Sequence, residues 1–255
     1  MELNKFNYYN SEANYKYFSC SMFKRFAECE ALALAELRGE WTREPSTAMQ
    51  IGSYVDAWAD GSLDAYKEAN TSMYLKSGEL KSEFRQAEAI TQRIQRDEMF
   101  MRYLNGEKQV IRTGAINGVP FKTRMDVLHK TAIVDLKVMR DFESQYKPEH
   151  GRLNFIEYWG YDLQGAIYQE IERQNNGGRK LPFYIAAVTK EAEPDIGIFE
   201  IPQYQLDTAL QLVAADSPHY WQLVNGLFEP VRCEKCNYCK HTKKLTAITP
   251  MEDLI

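Results

Sequence analysis

The sequence predicts an α/β fold in which a central mixed sheet is flanked by helices. Three observations predict it. Apolar residues recur at helical spacing through the first hundred positions. The period then drops to two over residues 108–138, with Asn117-Gly118 marking a hairpin. A further helix, two strands and a last helix complete the chain, an alternation that places helices on the faces of a sheet.

The elements follow in order. Residues 19–38 read as a helix, with Ser19 or Ser21 as cap and Met22, Phe26, Cys29, Ala33 and Leu37 along one stripe. Residues 47–60 form a second helix. Residues 80–104 form a solvated one, with Phe84, Ala87, Ile90 and Ile94 on its apolar face. Strands are expected at 108–113, 119–128 and 131–138. Residues 156–174 return to helix and end at Asn-Asn-Gly-Gly, 175–178. Strands 182–189 and 196–201 precede a final helix, 203–225. One domain is expected over 1–255. Its parts are a helical portion (1–105), a catalytic sheet and helix (106–202), and a closing helix with a cysteine-rich tail (203–255).

Composition bounds the function. The chain has 255 residues, enough to bury a sizeable core. Its net charge of −5 argues against a protein that coats nucleic acid, while a local basic groove remains open to it. No apolar run approaches the roughly 18 residues of a membrane span. The N-terminus MELNKFNYYNSEANYKYF lacks the apolar stretch of a signal peptide. No membrane association and a cytoplasmic location are expected.

The stretch RMDVLHKTAIVDLK, residues 124–137, sets two acids and a base among strand formers. Side chains alternate along a strand, so Asp135 and Lys137 share a face. A short connection brings Asp126 beside them. Neighbouring carboxylates repel unless a cation lies between them, and Mg²⁺ favours such oxygen ligands. The bland alternative is an exposed hairpin with a surface Asp–Lys pair.

Further segments appear in order: SCSMFKRFAEC (19–29), MQIGSYVDAWADG (49–61), GVPFKTRMD (118–126), IVDLK (133–137), YWGYDLQGAIY (158–168) and CEKCNYC (233–239). Together they resemble the PD-(D/E)XK nuclease superfamily with its restriction-endonuclease-like core. The nearest likeness is to RecE-type phage and prophage exonucleases, and the more distant to RecB and AddB nuclease domains and the CRISPR-associated adaptation exonuclease. The resemblance implies Asp126 and Asp135 as metal-binding acids and Lys137 as the catalytic lysine. It also implies Gln164 and Tyr168 as a Q-x-x-x-Y pair that touches DNA or positions the scissile phosphate. These two lie at i and i+4, on one helix face. Their bland alternatives are a helix cap and a core aromatic. Many relatives carry a metal-binding His where this chain has Asp56, which remains a suitable ligand for Mg²⁺ or Mn²⁺; the alternative is a solvent-facing helix residue. His129 reads as a loop residue and Lys190 as a strand-terminal surface lysine.

Cys233, Cys236 and Cys239 form a C-x-x-C-x-x-C run, a metal signal in a reducing compartment. Resemblance to the iron–sulfur members of the superfamily implies Cys29 as the fourth ligand of a 4Fe–4S cluster. The short second spacing departs from those members, and zinc on four cysteines is the rival. His241 is an alternative fourth ligand, and three metal-free thiols are the bland reading. Cys20 reads as a small buried residue. A centre joining Cys29 to the tail closes a loop of about 200 residues, a structural role.

The resemblance implies a Mg²⁺-dependent exonuclease on duplex DNA ends, working 5′ to 3′. It would leave 3′ single strands for a single-strand annealing protein in phage-type recombination or repair. A DNA-end-binding assembly module and a nickase or structure-specific endonuclease are the alternatives. A homo-oligomer is left open.

Overall fold

The computed structural model describes residues 1–44, 46–148, 150–248 and 250–253. Asn117 and Gly118 both adopt positive φ, 46° and 78°, and seat Ile116 opposite Val119 in a two-residue hairpin. This joins β1 (Glu107–Ile116) to β2 (Val119–Leu128). The remaining strands are β3 (Ile133–Met139), β4 (Gln145–Lys147) and β5 (Gly151–Leu153), which form a small hairpin of their own, β6 (Phe183–Thr189) and β7 (Ile196–Glu200). The main sheet runs β1-β2-β3-β6-β7. Only β3 and β6 pair in parallel, so the sheet is mixed as expected.

Eleven α-helices are described: α1 (Ser11–Lys16), α2 (Cys20–Glu28), α3 (Glu30–Leu37), α4 (Thr47–Asp60), α5 (Leu63–Ala69), α6 (Ser82–Gln95), α7 (Glu98–Leu104), α8 (Phe155–Tyr158), α9 (Tyr161–Asn175), α10 (Gln203–Val224) and α11 (Asn237–His241). Two apolar clusters sandwich the sheet. Helices α2, α9 and α10 contribute Phe23, Ile167 and Val213 to one. Helices α4, α6 and α7 contribute Val55, Ile90 and Phe100 to the other.

Three expected helices are each broken in two. The 19–38 stretch breaks at Cys29, whose backbone is extended (φ −167°, ψ 110°). The break frees the Ala31 N–H, which donates to the Val231 carbonyl at 3.1 Å, while Glu30 accepts from the Val231 N–H at 2.7 Å. Contact with the tail outweighs helical continuity here. The 80–104 stretch breaks where Asp97 caps α7 by accepting from the Phe100 N–H at 2.8 Å. The 156–174 stretch breaks at Gly160, which adopts φ 61°.

Period two holds along β3. Ile133 and Met139 pack in the first cluster, and Val134 and Leu136 in the second. Asp135 and Lys137 therefore face the α9 side. Between β2 and β3 the register holds only at Val127–Val134 and Leu128–Ile133. Beyond these pairs the strands part, and the fork opens at Asp126 and Asp135.

Candidate active site

The fork changes what each residue beside it must do. The Leu136 N–H, without a ladder partner on β2, donates instead to the Asp126 carboxylate at 3.0 Å. Asp126 thus stands in for a backbone acceptor. On its other side the β1 ladder is interrupted at Gln109, which adopts φ 52° and donates to Asp126 at 3.4 Å. The alternation of β2 slips at the same point. Met125 and Leu128 both pack in the first cluster, and Val127 in the second.

Asp135 is 1% exposed. Its Oδ1 accepts from the Gln164 amide of α9 at 2.6 Å. Its Oδ2 forms an ion pair with Lys137 yet receives no well-directed hydrogen bond. The Lys137 ammonium also lies 5.2 Å from the Tyr161 ring centre. Asp56 of α4, Asp126, Asp135, Lys137, Gln164 and Tyr168 all line one open cavity of about 780 Å³. A second cavity of about 550 Å³ shares Asp56, Leu136 and Lys137 with it and is flanked by Arg140 and Lys190. The two spaces meet at Lys137.

Burial dominates the electrostatics, and neighbouring charges add to it or oppose it. Burial pushes the Asp126 carboxyl well above the carboxylate range, and the charges of Asp135 and Asp56 add to it. Burial, with Asp135 and Asp60 nearby, pushes Asp56 up to about 6. Burial disfavours the Lys137 ammonium, but Asp135 and Asp126 outweigh it and hold the group protonated far above the usual range. In the metal-free protein these two carboxylates therefore favour the charged form of Lys137.

Tyr168 is 8% exposed and meets Phe183 edge-on, with ring centres 6.2 Å apart. It belongs to the core and also lines the cavity. His129 is bonded through Nε2 to the Tyr103 carbonyl at 2.8 Å. Lys190 follows β6 and lines the second cavity. The acids sit farther apart than the cysteines do: among the described residues, only Cys29, Cys233, Cys236 and Cys239 bring three or more ligand atoms within 4.8 Å of one another. His241 instead packs on Trp41 at 5.6 Å. Cys20 is buried and lines the main cavity, apart from the other four thiols.

A family model described as a PDDEXK-like domain of unknown function matches residues 19–242. The chain belongs to the PDDEXK-like family. A crystal structure from Eubacterium rectale, of a protein provisionally named an exonuclease, is 46% identical to it. The match covers 100% of this chain and 98% of that one, with a TM-score of 0.95. A second solved structure, at 14% identity, covers 82% of this chain and 91% of its own with a TM-score of 0.30, too low to bear on the fold. No curated protein matches the chain.

Within this PDDEXK-like domain, several cavity residues escape the sequence reading. Lys122 is 1% exposed. Its ammonium donates to the Tyr8 carbonyl at 2.5 Å and to Asn14 at 2.7 Å, and burial lowers it to about 8. Arg124 donates to the Tyr9 hydroxyl at 3.2 Å and lies over that ring. Lys24 and Arg25 of α2 line the same cavity, Arg25 paired with Glu36 at 2.9 Å. The signal for two of these was present. Lys122 and Arg124 precede Asp126 at period two, on the strand that carries it. Tyr8 and Tyr9 gave none, since only the tertiary fold brings them to β2.

Proposed function

We propose that the chain is a divalent-metal-dependent deoxyribonuclease that hydrolyses DNA phosphodiesters as an exonuclease. One observation carries this reading: Asp126, Asp135, Lys137 and Gln164 converge on the wall of one open cavity. The name of the Eubacterium rectale protein supports the exonuclease mode. The 5′-to-3′ direction, the 3′ single-stranded product and a part in phage-type recombination with an annealing protein rest on the resemblance to RecE-type enzymes. A cytoplasmic setting suits this reading; among the described residues no helix is long and apolar enough to cross a membrane.

The residues fit a hard divalent ion. Asp135 Oδ2 is enclosed with only the Lys137 ammonium against it, and Asp56, Asp126 and Asp135 line one cavity as a set of hard carboxylate donors. Asp56, Asp126 and Asp135 would hold Mg²⁺ or Mn²⁺, which when bound lowers the pKa of water and polarises a phosphoryl oxygen. The protein's own groups do the rest. Lys137 keeps its charge and offsets the negative charge that develops on the phosphate. Gln164 fixes the orientation of Asp135. Lys24 and Arg124, with Arg25 paired to Glu36 beside them, line the cavity and give it charge to receive a phosphate backbone. A strand passing from the larger cavity to the smaller crosses Lys137.

A time course on end-labelled linear DNA and on closed circular DNA, with Mg²⁺, tests the proposal. Loss of label from linear DNA with intact circles is expected. Cut circles would favour an endonuclease. Binding to ends without cleavage would leave an assembly module.

A further inference from the structure

The resemblance implies a 4Fe–4S cluster on Cys29, Cys233, Cys236 and Cys239. The four sulfurs lie too close together for one. In such a cluster each thiolate caps a separate iron at a cube corner, which spreads the sulfurs to roughly 6 Å apart. Here Cys29 and Cys239 are separated by 3.6 Å, Cys233 and Cys239 by 3.9 Å, and Cys29 and Cys236 by 3.9 Å. All four sulfurs lie within 4.8 Å of one another. A single tetrahedral ion with thiolates at about 2.3 Å sets neighbouring sulfurs about 3.8 Å apart, the edge of the tetrahedron.

We infer that the four cysteines form a closed mononuclear tetrathiolate site for zinc, in place of an iron–sulfur cluster. The local backbone is arranged for it. The extended residue between α2 and α3 turns the Cys29 thiol toward the tail. Glu234, at φ 56°, closes the first C-x-x-C turn. The Cys236 N–H then donates to the Cys233 sulfur at 3.3 Å, and the Cys239 N–H to the Cys236 sulfur at 3.4 Å. Such donors favour thiolates. Arg232 pins the outer side of the loop, donating to the Cys239 carbonyl at 2.6 Å and to Thr242 at 2.9 Å. Ala31, Leu32, Trp41 and Tyr238 pack around the sulfurs. Four thiolates fill a tetrahedral zinc completely, so no position is left for water or substrate, which is the pattern of a structural ion. Its mechanical effect falls on α2, which carries Lys24 and Arg25 on the cavity wall. The inference concerns the tail alone and stands whether or not the cavity cleaves DNA.

The test uses the intact chain, expressed with iron and zinc both in supply and purified without oxygen. Colourless protein with about one zinc per chain and no acid-labile sulfide is expected. Cobalt substituted for zinc should give the visible bands of a tetrahedral tetrathiolate and saturate at one equivalent. Cys20→Ser should keep the metal. Brown protein with iron and sulfide in equal amounts would overturn the inference. So would folded protein that takes up neither zinc nor cobalt.

Discussion

The Asp126 carboxylate accepts a hydrogen bond from the Leu136 backbone N–H at 3.0 Å, across the fork where their strands part. One side chain therefore serves both the sheet and the site, and substitutions can separate the two roles. Asp126→Asn keeps an acceptor for that N–H and removes one of three crowded charges, so thermal stability should be retained while turnover is lost. Asp126→Ala should also lose turnover. In addition it leaves the amide without a partner, which should destabilise the protein by about 1–3 kcal/mol. Thermal melts and end-label release on both variants check this. Equal stability of the two would contradict the bridging role.

Lys137→Ala should reduce turnover at least ~100-fold, the scale found when one fixed donor to a developing charge is removed. DNA affinity should change little, because Lys24, Arg25 and Arg124 hold the rest of the wall. Single-turnover rates beside equilibrium binding separate these effects. A large loss of affinity at an unchanged single-turnover rate would assign Lys137 to binding alone.

Gln164 and Tyr168 should behave differently despite their shared helix face. Gln164→Ala frees the Asp135 carboxylate to rotate, and turnover should drop roughly 10- to 100-fold. Tyr168→Phe retains the buried ring against Phe183, so stability should hold, and any lost rate reports the hydroxyl. Melting temperatures and rates measured on both variants test the contrast.

Asp56 makes stability depend on pH. Burial raises its folded value from 3.8 to about 6, so between those values the folded protein binds more protons than the unfolded chain. Its stabilising contribution is complete below about pH 4 and is lost as pH rises through 6. In EDTA, the wild-type chain should therefore lose stability relative to Asp56→Asn across that window. Added Mg²⁺ at pH 7.5 should raise the wild-type melting temperature by offsetting the repulsion. Parallel pH profiles that never diverge would show that Asp56 is not held this way.

EDTA should abolish cleavage, and Mn²⁺ or Mg²⁺ should restore it. The check is the same end-label assay after dialysis against chelator. Undiminished cleavage in chelator would remove the acids from the mechanism.

Much of this was legible in the sequence because it rests on local rules. Asn117-Gly118 set the hairpin, and period two put Asp135 and Lys137 on one face. Spacing by four put Gln164 and Tyr168 on the cavity side of α9. What stayed hidden was set by distant partners. The helix break at Cys29 answers to Val231 and the tail, some 200 residues away. The fork at Asp126 depends on strands that cease to pair, and alternation alone predicts a regular ladder there. The Lys122 environment depends on Tyr8 and Asn14, which no periodicity connects to β2.

The cysteine centre also bears on how the protein is made. Cys239 follows Cys29 by 210 positions. Synthesis delivers the N-terminal part first, so α2 leaves the ribosome long before the thiols that fasten it. A nascent chain can already carry Asp126, Asp135, Lys137 and Gln164 while the wall bearing Lys24 and Arg25 is still unanchored. Chains that terminate before Cys239 would stay in that state. If the four thiolates bind zinc and the cavity cleaves DNA, the place of the last ligand, Cys239, ties the anchoring of that wall to synthesis of the tail.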